Sequence, residues 1–98
     1  MTSRGDRPPS VATPSLEDVK ATLRRLIEEN AGIPASSIRD DSTIDGDLAM
    51  DSLSFVSLQV AVEEEYDISC DPEEIERRNR FDAIAQLVHE LVLARSGS

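Results

Sequence analysis

Few residues in this chain offer chemistry at neutral pH. They are the pair Asp51-Ser52, the acids Asp41, Asp45 and Asp47 around Gly46, and the single Cys70 and single His89. A hydrolase-type serine needs a strand–turn–helix setting, flanking glycines and a histidine base; Ser52 lacks the first two, and His89 falls late in the last predicted helix as a surface or edge residue. Cys70 is surrounded by acids, which raise rather than lower a thiol pKa, and one cysteine makes neither an internal disulfide nor a multi-thiolate metal site. Asp41, Asp45, Gly46 and Asp47 match the first, fifth, sixth and seventh positions of a calcium loop, but Thr43 sits at the third and Ser52 where a bidentate Glu is required. No metal site, catalytic residue or enzymatic activity is expected. What remains is Ser52 itself. Asp and Ser are ordinary helix N-caps, and that is the plain reading of the pair. A serine at an exposed helix N-terminus is also well placed to carry a phosphodiester, because free backbone N–H groups and the helix dipole favour negative charge there. Asp51 could then help hold a divalent cation during phosphoryl transfer.

The elements that must position Ser52 follow from spacing. Leu16, Val19, Leu23, Leu26 and Ile27 recur with helical period after Ser15 and Asp18, and Gly32 with Pro34 ends the run. This predicts a first helix over 16–31. The periodicity then lapses through Met50, where Ile33, Ile38, Ile44 and Leu48 are scattered among Pro, Ser, Asp and Gly, a long connection of the kind that is functional or pinned by its own apolar anchors. A second helix opens at Asp51 or Ser52 and runs to about Tyr66. Asp71-Pro72-Glu73-Glu74 starts a short helix ending near Arg78. Phe81, Ile84, Val88 and Leu91 make the stripe of a last helix, with Asn79 and Asp82 as its candidate caps. No stretch alternates as a strand would. The predicted fold is all-α: a small four-helix bundle of three longer helices and one short one. The second helix carries two stripes: Phe55, Leu58, Val62 and Tyr66 on one face, and Leu53, Val56 and Val60 roughly 150° away. The first is the core candidate. The second, bordered by Glu63 and Glu64, is either buried against a helix on the other side or, the reading preferred here, a partly exposed partner strip with an apolar centre and an acidic rim.

Composition narrows the class of partner. The 98 residues carry a formal net charge of −10, but the charge is not spread evenly. From Asp40 to Glu76 there are 13 acids and no Lys or Arg, so the rest of the chain is net positive. Such a chain is repelled by nucleic acid and by anionic lipid, and it suits a basic protein partner. No apolar run reaches the ~18 residues of a membrane span, and no apolar segment near the N-terminus resembles a secretion signal, which makes the cytoplasm the expected compartment. The segment 1–14 holds Pro, Ser, Gly and Arg with little to bury and is read as a disordered tail, with a domain over 15–95 and a flexible end at 96–98.

The run Leu48-Ala49-Met50-Asp51-Ser52-Leu53, followed by Val60-Ala61-Val62-Glu63-Glu64-Glu65-Tyr66-Asp67-Ile68, resembles the acyl carrier protein family, in which a D-S-L motif precedes an acidic helix. Helix order and loop lengths resemble that family from Ser15 to Ala94. The resemblance implies that Ser52 carries a covalent 4′-phosphopantetheine arm, transferred from coenzyme A by a phosphopantetheinyl transferase, and that Asp51 supports recognition and metal positioning. It implies that acyl groups are held as thioesters on the arm. It also implies that Leu53, Val56 and Val60, with Glu63 and Glu64, contact acyl-loading, condensing or modifying enzymes bearing basic docking patches. A discrete, monomeric carrier is expected. The fatty-acid members of the family usually have acids where Ser54 and Ser57 stand, a smaller residue where Phe55 stands, and an aliphatic near Cys70. These differences point to a dedicated pathway such as polyketide or other secondary-metabolite synthesis. The rival readings are an aminoacyl or peptidyl carrier of a nonribosomal-type pathway and an acidic helical adaptor without a prosthetic group.

Overall fold

The computed structural model describes residues 14–96. The expected tail lies outside these residues except for Pro14. Four helices appear in order: α1 Leu16–Ala31, α2 Ser52–Tyr66, α3 Pro72–Arg78 and α4 Phe81–Ser96, with a 3₁₀ turn at Ala35–Ser37 after α1. The all-α bundle of three longer helices and one short one is thus observed.

Local chemistry explains three of the four starts. Ser15 Oγ accepts the Asp18 N–H at 3.1 Å, and the Asp18 carboxylate accepts the Ser15 N–H at 3.2 Å, a reciprocal cap at the head of α1. At the far end of α1, Gly32 adopts φ +73° and its N–H closes on the Glu28 carbonyl at 3.0 Å, a left-handed stop that suits glycine. Asp51 caps α2, and Asp71 followed by Pro72 caps α3. The start of α4 differs from expectation. Asn79 is the left-handed C-cap of α3, at φ 52°, rather than a cap of α4. Asp82 lies inside the first turn of α4, where its carboxylate accepts the neighbouring Ala83 N–H and pairs with the Arg80 guanidinium rather than capping the helix. The first N–H groups of α4 are instead taken by backbone carbonyls of the long connection: Phe81 N–H donates to Ser42 and Asp82 N–H to Asp40, both at 2.8 Å.

α1 packs against α2 and α4, and α3 packs against α4. The core draws Val19, Leu23, Leu26 and Ile27 from α1, Leu58 and Val62 from α2, Ile75 from α3, and Phe81, Ile84, Ala85 and Val88 from α4. Burial of these apolar side chains is the main stabilising term, at roughly 25 cal/mol for each Å² of apolar surface removed from water. The connection from Gly32 to Met50 is pinned by its own anchors, with Ile38, Ile44 and Leu48 all buried. Polar ties supplement them. Lys20 and Arg24 of α1 reach Asp40 at 3.1 and 3.0 Å, and the Arg24 guanidinium also lies over the Phe81 ring, 4.6 Å from its centroid. Lys20 is held above its ordinary pKa, and Asp40 below its own, chiefly by the hydrogen bond between them.

Candidate functional site

Ser52 is the first residue of α2 and is exposed. Its position is set on both sides. On the helix side, Asp51 in extended conformation turns its carboxylate back onto the Ser54 N–H at 2.8 Å. That bond, with a smaller contribution from the Ser54 hydroxyl, holds the Asp51 carboxyl below the usual range. The cap satisfies the third helical N–H and leaves the amides of Ser52 and Leu53 at the open, electropositive end of the helix. On the loop side, Ala49 takes a left-handed φ of 50°, and Met50 N–H closes on the Ile44 carbonyl at 3.1 Å.

The loop itself is clipped to the junction of α3 and α4. Asn79 Oδ1 accepts the N–H groups of Ile44 and Asp45 at 3.1 and 3.2 Å, and its Nδ2 donates to Asp45 Oδ1 at 3.0 Å. Asp47 is used internally as well: its carboxylate accepts the Thr43 N–H at 3.1 Å, while its own N–H donates to Thr43 Oγ1 at 2.9 Å. Gly46 is required beside this pair, since a Cβ there would stand 2.7 Å from Thr43 Oγ1. Among the described residues, no three His, Cys, Asp or Glu side chains gather as a metal-binding group.

Beside Ser52 an open groove of about 570 Å³ runs between the start of α2 and α3. Met50, Phe55 and Val56 give it apolar surface, and Asp45, Glu73, Glu76 and Asn79 line it from the loop and α3. These last four are groove residues that sequence reasoning did not assign to the site. Their only signals were as a loop acid, two acids of the short helix and a helix cap, because the groove joins segments remote in sequence.

The two stripes of α2 separate as the spacing predicts. Leu58 and Val62 are 4% and 3% exposed, whereas Leu53, Val56 and Val60 are 77%, 50% and 45% exposed. Glu64 is exposed beside the open strip. Glu63 is not a free rim charge: half-buried, it accepts the Cys70 N–H at 2.8 Å and ties the end of α2 to the turn before α3. Cys70 is itself buried, and its thiol is pushed up to about 11, first by burial and then by the Glu63 charge. The acids expected to raise this thiol therefore contribute, but burial contributes more.

The exposed serine, the free helix amides and the adjacent groove fit a covalently attached phosphodiester arm: Ser52 could hold it and the groove could receive it. Comparison with known proteins points the same way. A family model described as a phosphopantetheine attachment site matches residues 21–88, a span that includes Ser52. An acyl carrier protein of Acidothermus cellulolyticus is 32% identical over 81 residues, covering 82% of this chain and 96% of that protein. A non-reducing polyketide synthase of Macrophomina phaseolina is 47% identical over 60 residues, covering 58% of this chain but only 3% of the synthase. The chain belongs to the acyl carrier protein family, whose members are non-catalytic carriers with a covalently attached 4′-phosphopantetheine.

Proposed function

We propose that Ser52 bears the 4′-phosphopantetheine and that the unit over residues 15–95 presents acyl intermediates to partner enzymes of a polyketide or related secondary-metabolite pathway. The observation that carries the attachment site is an exposed serine as the first residue of a capped helix, inside the matched span. When bound, the arm supplies a thiol on which acyl groups are held as thioesters. The chain's own residues do the rest. Asp51 keeps the helix start closed and keeps a carboxylate next to Ser52 in the chain, where it can assist a metal-dependent transferase. Leu53, Val56 and Val60 offer a strip for apolar contact, with Glu64 at its edge and Glu63 bracing the helix end behind it. The likeness to a segment of a polyketide synthase, and the serines at positions 54 and 57, support the pathway class.

Intact mass spectrometry tests the site. With coenzyme A, Mg²⁺ and a broad-specificity phosphopantetheinyl transferase, the wild-type protein should gain one phosphopantetheine and Ser52→Ala none. Addition to the variant, or none to the wild type with a competent transferase, overturns the assignment.

A further inference from the structure

Three residues other than glycine hold a left-handed backbone among those described: Ala49 at φ 50°, Asp67 at 55° and Asn79 at 52°. Asp67 and Asn79 close α2 and α3 as C-caps, and their short polar side chains tolerate that conformation. Ala49 ends no helix and has no polar side chain, and its Cβ makes the left-handed region unfavourable. It is also exposed, so packing of its methyl group does not account for the strain. The conformation is imposed by the neighbours. On one side Leu48 is buried, and its N–H donates to the Thr43 carbonyl at 2.9 Å. On the other, the Met50 N–H donates at 3.1 Å to the carbonyl of Ile44, whose side chain is buried as well. Beyond Met50 the chain is held again where Asp51 caps α2 at 2.8 Å. The strained residue thus links two fixed points, the loop and the helix cap, just before Ser52.

Resting on Ser52 as the attachment point, we propose that Ala49 is a positioning residue for its modification: the left-handed turn sets the direction in which the chain enters α2, and so the direction in which the Ser52 hydroxyl meets the transferase. Released from that turn, Ala49 relaxes to an extended or right-handed backbone at the cost of one loop bond, Met50 to Ile44. α2 itself stays seated through Leu58 and Val62 in the core, so the change of direction falls on Met50, Asp51 and Ser52. Strain of this kind persists where the surrounding structure over-determines it, and it pre-organises the group it holds. The property that counts is backbone preference at position 49, not the size or polarity of the side chain. A residue that accepts positive φ keeps Ser52 in place. A β-branched one, which resists positive φ more than alanine does, lets Ser52 turn away.

Ala49→Asn and Ala49→Val test this, because both enlarge the side chain but only asparagine tolerates the left-handed region. Each protein is loaded from coenzyme A by a phosphopantetheinyl transferase, with kcat and the KM for the carrier measured separately. Hydrogen exchange is followed at the Met50 amide. Ala49→Val should lose protection at Met50 and fall several-fold in kcat, with KM little changed because the exposed strip Leu53, Val56 and Val60 is intact. Ala49→Asn should stay close to wild type in both measurements. If Ala49→Val does not fold, D-alanine in place of Ala49, introduced by chemical ligation at Ser69–Cys70, removes the strain while keeping the methyl group. Met50 should then exchange more slowly, and kcat should match or exceed that of wild type. Four outcomes overturn the proposal with the attachment site intact: equal kcat in Ala49→Val and Ala49→Asn, a loss confined to KM, unchanged Met50 exchange in Ala49→Val, or slower loading of the D-alanine protein. Failure of the wild type to load at Ser52 overturns the attachment site and the proposal with it.

Discussion

Asp51 combines two capacities, a hydrogen-bond acceptor that caps α2 and a charge next to Ser52, and two substitutions separate them. Asp51→Asn retains an acceptor for the Ser54 N–H, and asparagine caps as well as aspartate. This variant should melt within a few degrees of wild type but accept phosphopantetheine more slowly. Asp51→Ala should lose the cap as well, and melt clearly lower. Thermal melts beside a transferase time course check both, and wild-type loading of Asp51→Asn would show that the charge plays no part in attachment. The pH dependence has a definite sign. The folded carboxyl is depressed by its N–H partner, so its contribution is present above the ordinary carboxyl pKa of about 3.9 and is lost as pH falls through the lower folded value. Asp51→Asn should therefore show a smaller loss of stability in acid. A second residue-scale expectation concerns Cys70. With the thiol pushed to about 11, the thiolate is on the order of one part in a thousand at pH 8, and it is buried besides. In the protein without its arm, a disulfide reagent should label Cys70 slowly in buffer and rapidly in urea. Labelling as fast as a free thiol in buffer would mean that the turn after α2 opens readily.

At the scale of elements, the long connection before Ser52 behaves as part of the fold, and Asn79 is its fastener. The side chain tolerates the left-handed position that ends α3 and spends its amide on Ile44 and Asp45. Asn79→Gly removes the amide but keeps the backbone free to turn, whereas Asn79→Ala removes the amide and adds left-handed strain of about 1 kcal/mol. Each lost neutral hydrogen bond is worth about 1 kcal/mol net, so Asn79→Gly should destabilise by roughly 1–3 kcal/mol and Asn79→Ala by somewhat more. Hydrogen exchange at the Ile44 and Asp45 amides should accelerate in both variants, with the α1 core amides little affected. Unchanged exchange at those two amides would show that the loop is held by its buried isoleucines alone. Much of the helical framework was legible in the sequence because its punctuation is local. Ser15 with Asp18, Gly32, Asp51 and Asp71-Pro72 act within a turn of where they stand. The start of α4 was not legible, since its caps are the backbone carbonyls of Asp40 and Ser42, and a carbonyl belongs to every residue type.

Across the described residues, the cations are paired with acids away from the groove beside Ser52. Lys20 and Arg24 of α1 are occupied with Asp40, and Arg25 with Glu29 and Glu65, while the groove acids and Glu64 are left towards solvent beside the apolar strip of α2. Rim charges of this kind mainly speed encounter with a basic surface, and buried apolar contacts mainly slow departure. Stopped-flow binding to a cognate partner enzyme should show an association rate that falls with added salt and falls similarly in Glu64→Lys. Val56→Ala should instead raise the dissociation rate with little change in salt dependence. Salt-independent association with an unaffected Val56→Ala would place the docking surface elsewhere on the molecule.

That the two stripes of α2 point apart was a matter of sequence alone, because a helix converts spacing into direction; that Leu53, Val56 and Val60 are left open rather than covered by another helix was decided by the packing. The D-S-L run at a helix start and the acidic stretch from Asp40 to Glu76 were determined in the same way. What only the tertiary structure decided is which of those acids surround Ser52. Glu63, adjacent to the strip in sequence, bends to the Cys70 N–H. Asp45, Glu73 and Glu76, from a loop and a different helix, share the groove with Ser52. Asn79 brings the loop into place from 35 residues away. A local pattern sets the direction a side chain takes from its own helix; the neighbours it meets depend on how the helices and the loop pack, and that is decided by burial of the common core.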